Sequence, residues 1–152
     1  MKRLSLLVLA AVTLGFAASV THTFTYSPAS LKLGTENGYT TVEFAGLPRV
    51  DATGAPDLPV ASAQVVIPAS AELTGFEILD VRYEPVSGTY DVLPVQFPQA
   101  YTTDPLTFPF VTPNPSFYAG VYPAAPAELT ASGTKSGYRL VSFRVYPVRY
   151  DA

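Results

Sequence analysis

The sequence contains no cysteine, no tryptophan and a single histidine among its 152 residues. Without cysteine there is no disulfide framework, no thiolate metal site and no cysteine nucleophile. One histidine excludes a multi-histidine zinc site and argues strongly against a histidine-based triad. Charge is also sparse: 14% of residues are charged, nine basic against twelve acidic, for a formal charge of −3. Apart from Lys2-Arg3 the basic residues are scattered singly, so the clustered cations that displace counterions from nucleic acid are missing. No apolar run reaches the ~20 residues that span a bilayer. The composition therefore reads as a non-enzymatic chain, with no metal and no cofactor.

What is present is apolar residues, at 48%, and fifteen prolines, about twice the usual ~5% share of proline. This is neither a disordered tail nor a solvated linker. The length suits one domain.

Met1-Lys2-Arg3 places two positive charges ahead of an apolar run over residues 4–16, interrupted only by Ser5, Thr13 and Gly15. Small residues follow at Ala17, Ala18 and Ser19. A basic start, a short apolar stretch and small residues before the cut are the features of a secretory signal peptide. Cleavage after Ser19 or after Ala17 fits, and the former leaves residues 20–152 as one exported domain: secreted, periplasmic or at the cell surface, with no membrane segment. Loss of Lys2 and Arg3 leaves seven basic and twelve acidic side chains, a net charge of −5.

Past this segment the apolar pattern takes a period of two, the strand spacing. Residues 40–44 put Val42 and Phe44 on one side, and residues 63–67 are β-branched up to Pro68. Residues 73–83 read as a strand apolar on both faces, with Leu73, Leu79, Val81 and Tyr83 opposite Phe76 and Ile78. The last strand alternates Arg139, Val141, Phe143 and Val145 with Leu140, Ser142, Arg144 and Tyr146. Pro147 then places its end at an edge or a bulge. Prolines leave few windows for helices. The expectation is an all-β, antiparallel sandwich of jelly-roll type. Residues 94–126 differ: they are dense in proline and aromatic residues, and read as a long stiff excursion of the functional kind.

Candidate chemistry is thin. His22 lies just past the cleavage site and reads as frayed chain. Asp51, Gly54 and Asp57 share one turn but lack calcium-loop spacing, so they read as turn formers. Glu77 and Asp80 point to opposite faces of a strand and read as solvated charges. No nucleophile elbow and no glycine-rich phosphate loop occurs. The aromatics offer stacking platforms, which suits a secreted adhesion or carbohydrate-binding module as the alternative function. Phe108 and Phe110 are expected in the core.

The ordered series Gly54-Ala55-Pro56-Asp57-Leu58-Pro59-Val60, Val66-Ile67-Pro68, Leu93-Pro94 and the closing residues 137–150 resembles the N-terminal propeptide of gingipain-type cysteine peptidases. The likeness covers residues 40–152. It implies an all-β domain that precedes a caspase-like catalytic domain, assists its folding and blocks its cleft until removed. On this resemblance the chain is the front part of a longer zymogen, or an inhibitor acting in trans. In arginine-specific members a basic side chain from a propeptide loop fills the specificity pocket. Spacing from Leu93-Pro94, Asp104-Pro105 and Pro109 puts Tyr101 at that position, flanked by Ala100, Thr102, Thr103 and Asp104. A stiff loop over residues 95–105 loses little entropy on entering a cleft.

Overall fold

A computed structural model describes residues 19–98 and 108–152. The described residues form an all-β, small sandwich-like domain with two antiparallel sheets. Residues 19–27, including His22, have no regular structure, and His22 is exposed. A 3-10 turn at Pro28–Ser30 leads into β1 (Leu31–Glu36), which pairs with β2 (Tyr39–Phe44) in register from Leu31↔Phe44 to Glu36↔Tyr39. The turn between them is Asn37-Gly38, both at positive φ (50° and 83°). A two-residue turn of this hand matches the twist of the flanking strands and favours Asn-Gly.

The second sheet has the order β3-β5-β4, with β3 at Ala61–Ile67, β4 at Ala127–Lys135 and β5 at Tyr138–Val145. Ser136-Gly137 makes the β4–β5 turn, again with both φ positive. β5 holds the centre, paired on both sides, and is the least exposed of the three. Val141 is buried, opposite Val65 on β3 and Ser132 on β4. β5 stops before Pro147, so that proline interrupts no ladder; the sheet's irregularity lies instead in β4, between Leu129 and Ala131. Among the described residues no helix is long and apolar enough to cross a membrane.

The core does not lie between two broad sheets. Its centre is Val42, Leu58 and Val92, packed by Leu31, Tyr90, Tyr122, Val148 and Tyr150. The irregular stretch from Gly54 to Val60 is buried at every residue. Irregular backbone survives burial only if its polar groups are bonded. Here Asp57 N–H donates to Leu93 O, Leu58 O accepts from Val50 N–H, and Val60 N–H donates to Pro48 O. Pro56, Pro59 and Pro94 are fully buried, and having no N–H they leave no orphan donor. The prolines that discourage regular structure thus make buried irregular structure tolerable.

One expected strand does not form. Residues 71–89 carry no strand assignment, and residues 74–89 are exposed without a break. The period-two apolar pattern there is real, but no neighbouring strand supplies a ladder. Phe76 meets Phe143 edge-on at 5.3 Å, and the Tyr83 hydroxyl donates to Tyr146 O at 2.8 Å. These contacts tie the segment to β5 and to the chain just past it as an unpaired ribbon.

Candidate functional site

The proline-rich excursion leaves the core through two arms, residues 92–98 and 108–114. The outgoing arm starts from buried Val92, Leu93 and Pro94. Leu93 N–H donates to Thr40 O on β2, and Val95 N–H to Ala55 O. The returning arm ends on α1 (Pro115–Tyr118), a single turn capped by Asn114, whose side-chain oxygen accepts from Ser116 N–H at 3.0 Å. Proline at the first helical position after an Asn cap fits the usual start of a helix. The Tyr118 hydroxyl then donates to Val92 O at 2.8 Å, returning the second arm to the base of the first.

Gly54 and Gln96 also join the arms. Gly54 N–H donates to Val95 O at 2.9 Å, and Gly54 O accepts from Asn114 N–H at 3.0 Å. Gly54 adopts φ +82°, and a β-carbon there would lie 3.2 Å from the Asn114 β-carbon. Both the backbone conformation and the close approach require glycine. Gln96 closes the stem above it. Its amide nitrogen donates to Pro94 O (2.8 Å) and Val111 O (3.1 Å), and its oxygen accepts from Val111 N–H (2.9 Å). Beyond Gln96 the rings of Phe97 and Phe108 lie 5.6 Å apart, both well exposed. The stem is thus fixed by backbone bonds, an amide clasp and an aromatic pair.

The residues expected at the tip, Ala100, Tyr101, Thr102, Thr103 and Asp104, lie outside the described residues, as do residues 1–18 of the expected signal peptide. Phe108 and Phe110 are not core residues: each is more than 40% exposed, against Phe97 and Tyr39 respectively. Stem packing has taken them out of the interior. Further rings pair nearby, Phe117 with Tyr122 and Tyr118 with Tyr150.

The acidic turn resolves differently from its expected role. Asp57 is buried and bonded to Arg49, which also reaches Glu43 at 2.9 Å. Asp51 turns to Arg144 at 3.3 Å. The two carboxylates are held by different arginines. Burial raises the Asp57 carboxyl above its ordinary range despite the opposing pull of Arg49, with Glu36 and Glu43 adding to the rise. Asp57 is therefore a core polar anchor of the segment that carries Gly54. Glu77 and Asp80 are exposed on the ribbon, Asp80 paired with Arg82 at 3.4 Å. Sequence reasoning missed Gln96, Asn114 and Arg49; for Asn114 the Asn-Pro pair was an available helix-start signal.

No protein-family model matches the chain, and no curated protein sequence matches it. Its fold is similar to that of a solved structure of gingipain K from Porphyromonas gingivalis, determined for insight into that protein's zymogenic latency. The TM-score is 0.56 at 23% identity, over 80% of this chain and 70% of that one. At this identity the likeness establishes a shared fold.

Proposed function

We propose that this chain is an exported, non-enzymatic propeptide-type domain that inhibits a gingipain-like cysteine peptidase and assists its folding. Residues 95–105 occlude the cleft, and Tyr101 is the inserting side chain. The observation that carries the reading is the stem, whose two arms are locked at Gly54 and Gln96 on a buried base. A loop held at its root loses less entropy on binding than a free one. The fold likeness to a protein studied for zymogenic latency supports the same reading. A tyrosine at the tip suits a roomy, less acidic pocket than one built for arginine, because its ring buries much area with few rotamers. The chain acts in cis as the front of a zymogen or in trans as a separate inhibitor.

The test is inhibition of a gingipain-type catalytic domain by the purified chain, titrated beside Tyr101→Ala. The expected result is inhibition weakened at least tenfold in the variant, about 1.4 kcal/mol, with an unchanged melting temperature. Equal inhibition by both proteins removes Tyr101 from the cleft, and no inhibition by folded protein overturns the inhibitor reading. Refolding yield of the catalytic domain with and without the chain tests the folding role.

A further inference from the structure

The ribbon that follows β3 is held in place without being paired. Residues 74–89 are exposed in sequence, and among the described residues no backbone N–H or C=O of residues 72–86 bonds to another backbone group. Such a stretch lacks a ladder, is apolar on alternate positions and leaves its backbone groups open to a partner. Its ends are fixed. Phe76 sits on Phe143, while Tyr83 bonds to Tyr146 O and carries the Arg149 guanidinium 5.5 Å above its ring. Between these pins Leu79 is 71% exposed, and Ile78 and Val81 are also open.

We propose that this ribbon is a strand-pairing surface that the peptidase domain completes with an open strand edge of its own, bordered by lysine and arginine. The inference rests on the proposed inhibitory function and names the surface by which the partner is held apart from the cleft. Charge selects the occupant. Residues 72–84 carry Glu72, Glu77, Asp80 and Glu84 against Arg82 alone, and Arg82 is already tied to Asp80. A second copy of the ribbon would set acid against acid, which disfavours self-pairing. A basic border on an apolar edge matches both the open aliphatic side chains and the surplus of carboxylates. Strand addition draws affinity from main-chain bonds and specificity from alternate side chains. Fixing the ribbon beforehand at Phe76 and Tyr83 lowers the entropy lost on docking. The free edge of β4, by contrast, is guarded by a bulge and by Glu128 and Lys135.

The test is amide hydrogen exchange of the full chain, alone and with the catalytic domain of gingipain K inactivated at its catalytic cysteine. Binding is measured for the chain, for Glu77→Lys/Asp80→Lys and for Leu79→Pro. Leu79→Pro removes a donor that the free chain does not use; the charge reversals alter only exposed side chains, so they keep the test valid should the proline variant not fold. The expected result is amides 74–84 exchanging fast in the free chain and at least tenfold slower in the complex, with affinity reduced at least tenfold in each folded variant. Binding with unchanged exchange and unchanged variant affinities overturns the ribbon and leaves the inhibitor reading standing. No binding by the folded chain overturns both. Protection that grows with the concentration of the chain alone assigns the ribbon to a second copy and overturns the proposal.

Discussion

Gln96 grips Val111 at both of its backbone polar groups, donating to its carbonyl at 3.1 Å and accepting from its N–H at 2.9 Å, across fifteen residues of chain. This pair sets the separation of the two arms. Gln96→Ala removes the clasp and leaves the partly buried Val111 groups to water, a change of about 1 kcal/mol. If the loop occludes a cleft, inhibition weakens by more than stability does, because the root no longer fixes the tip. Thermal melting and an inhibition constant measured on one preparation check this. A loss of stability with inhibition unchanged contradicts it.

Gly54 and Gly75 form a matched pair of controls. An added β-carbon at Gly75 meets nothing within 4 Å, whereas at Gly54 it meets Asn114 in a left-handed backbone. Gly54→Ala is expected to cost at least 1–3 kcal/mol through strain and displacement of the returning arm. Gly75→Ala is expected to stay within about 0.5 kcal/mol of the parent. Denaturant melts of the two variants decide it; equal effects contradict the role of Gly54 as the junction.

The sequence showed clearly those elements that bury one face. The alternation at residues 40–44, 63–67 and 139–145 lies within β2, β3 and β5. β1 and β4 were missed because residues 32–36 and 128–135 are exposed on both faces, and their apolar alternation is confined to Leu31 and Leu33 and to Ala127, Leu129 and Ala131. Their signal lay in turn chemistry: Asn37-Gly38 is a strong short-range hairpin mark. Residues 73–83 were over-read for the converse reason. Alternation reports which side chains are apolar, not whether a neighbouring strand is present. At the candidate site, proline spacing marked the excursion, and the Gly54–Val60 stretch that carries the family resemblance turned out to be its buried base. Gln96 was illegible because its role depends on a contact fifteen residues away.

Arg49 and Asp57 are predicted to be unequal partners. Arg49→Ala leaves a buried carboxylate short of its main donor, a loss of about 2–3 kcal/mol. Asp57→Asn removes a charge that burial disfavours and keeps an acceptor, so its cost is smaller. The pH dependence has a definite sign. A carboxyl raised in the folded state adds stability that is fully present below the ordinary value of 3.8 and declines as pH rises through the folded value. Acid therefore does not unfold the chain through Asp57. Melts of both variants across the acid range check the order and the sign.

Tyrosine ionisation is predicted to limit stability in alkali. The Tyr146 hydroxyl donates to Glu128 at 2.6 Å, and burial together with that carboxylate raises its pKa to about 12. Tyr118, bonded to Val92 O, is raised as well, chiefly by burial. Groups raised above their unfolded value of 10.0 give stability that is intact below that pH and lost as pH climbs toward the folded value. Phenolate absorbance is expected to show a late-titrating class that coincides with unfolding. Tyr146→Phe is expected to lose one member of that class. Full titration near the ordinary value, with the fold intact, contradicts the assignment.

The most direct test of the occlusion account is protection of the peptidase's catalytic cysteine. A gingipain-type catalytic domain is treated with an active-site-directed alkylating reagent in the presence of increasing full chain, and the labelling rate is followed. The account predicts that labelling stops at one equivalent of chain, and that Tyr101→Ala restores it at the same concentration. Unchanged labelling in a sample where the complex has demonstrably formed contradicts occlusion of the cleft.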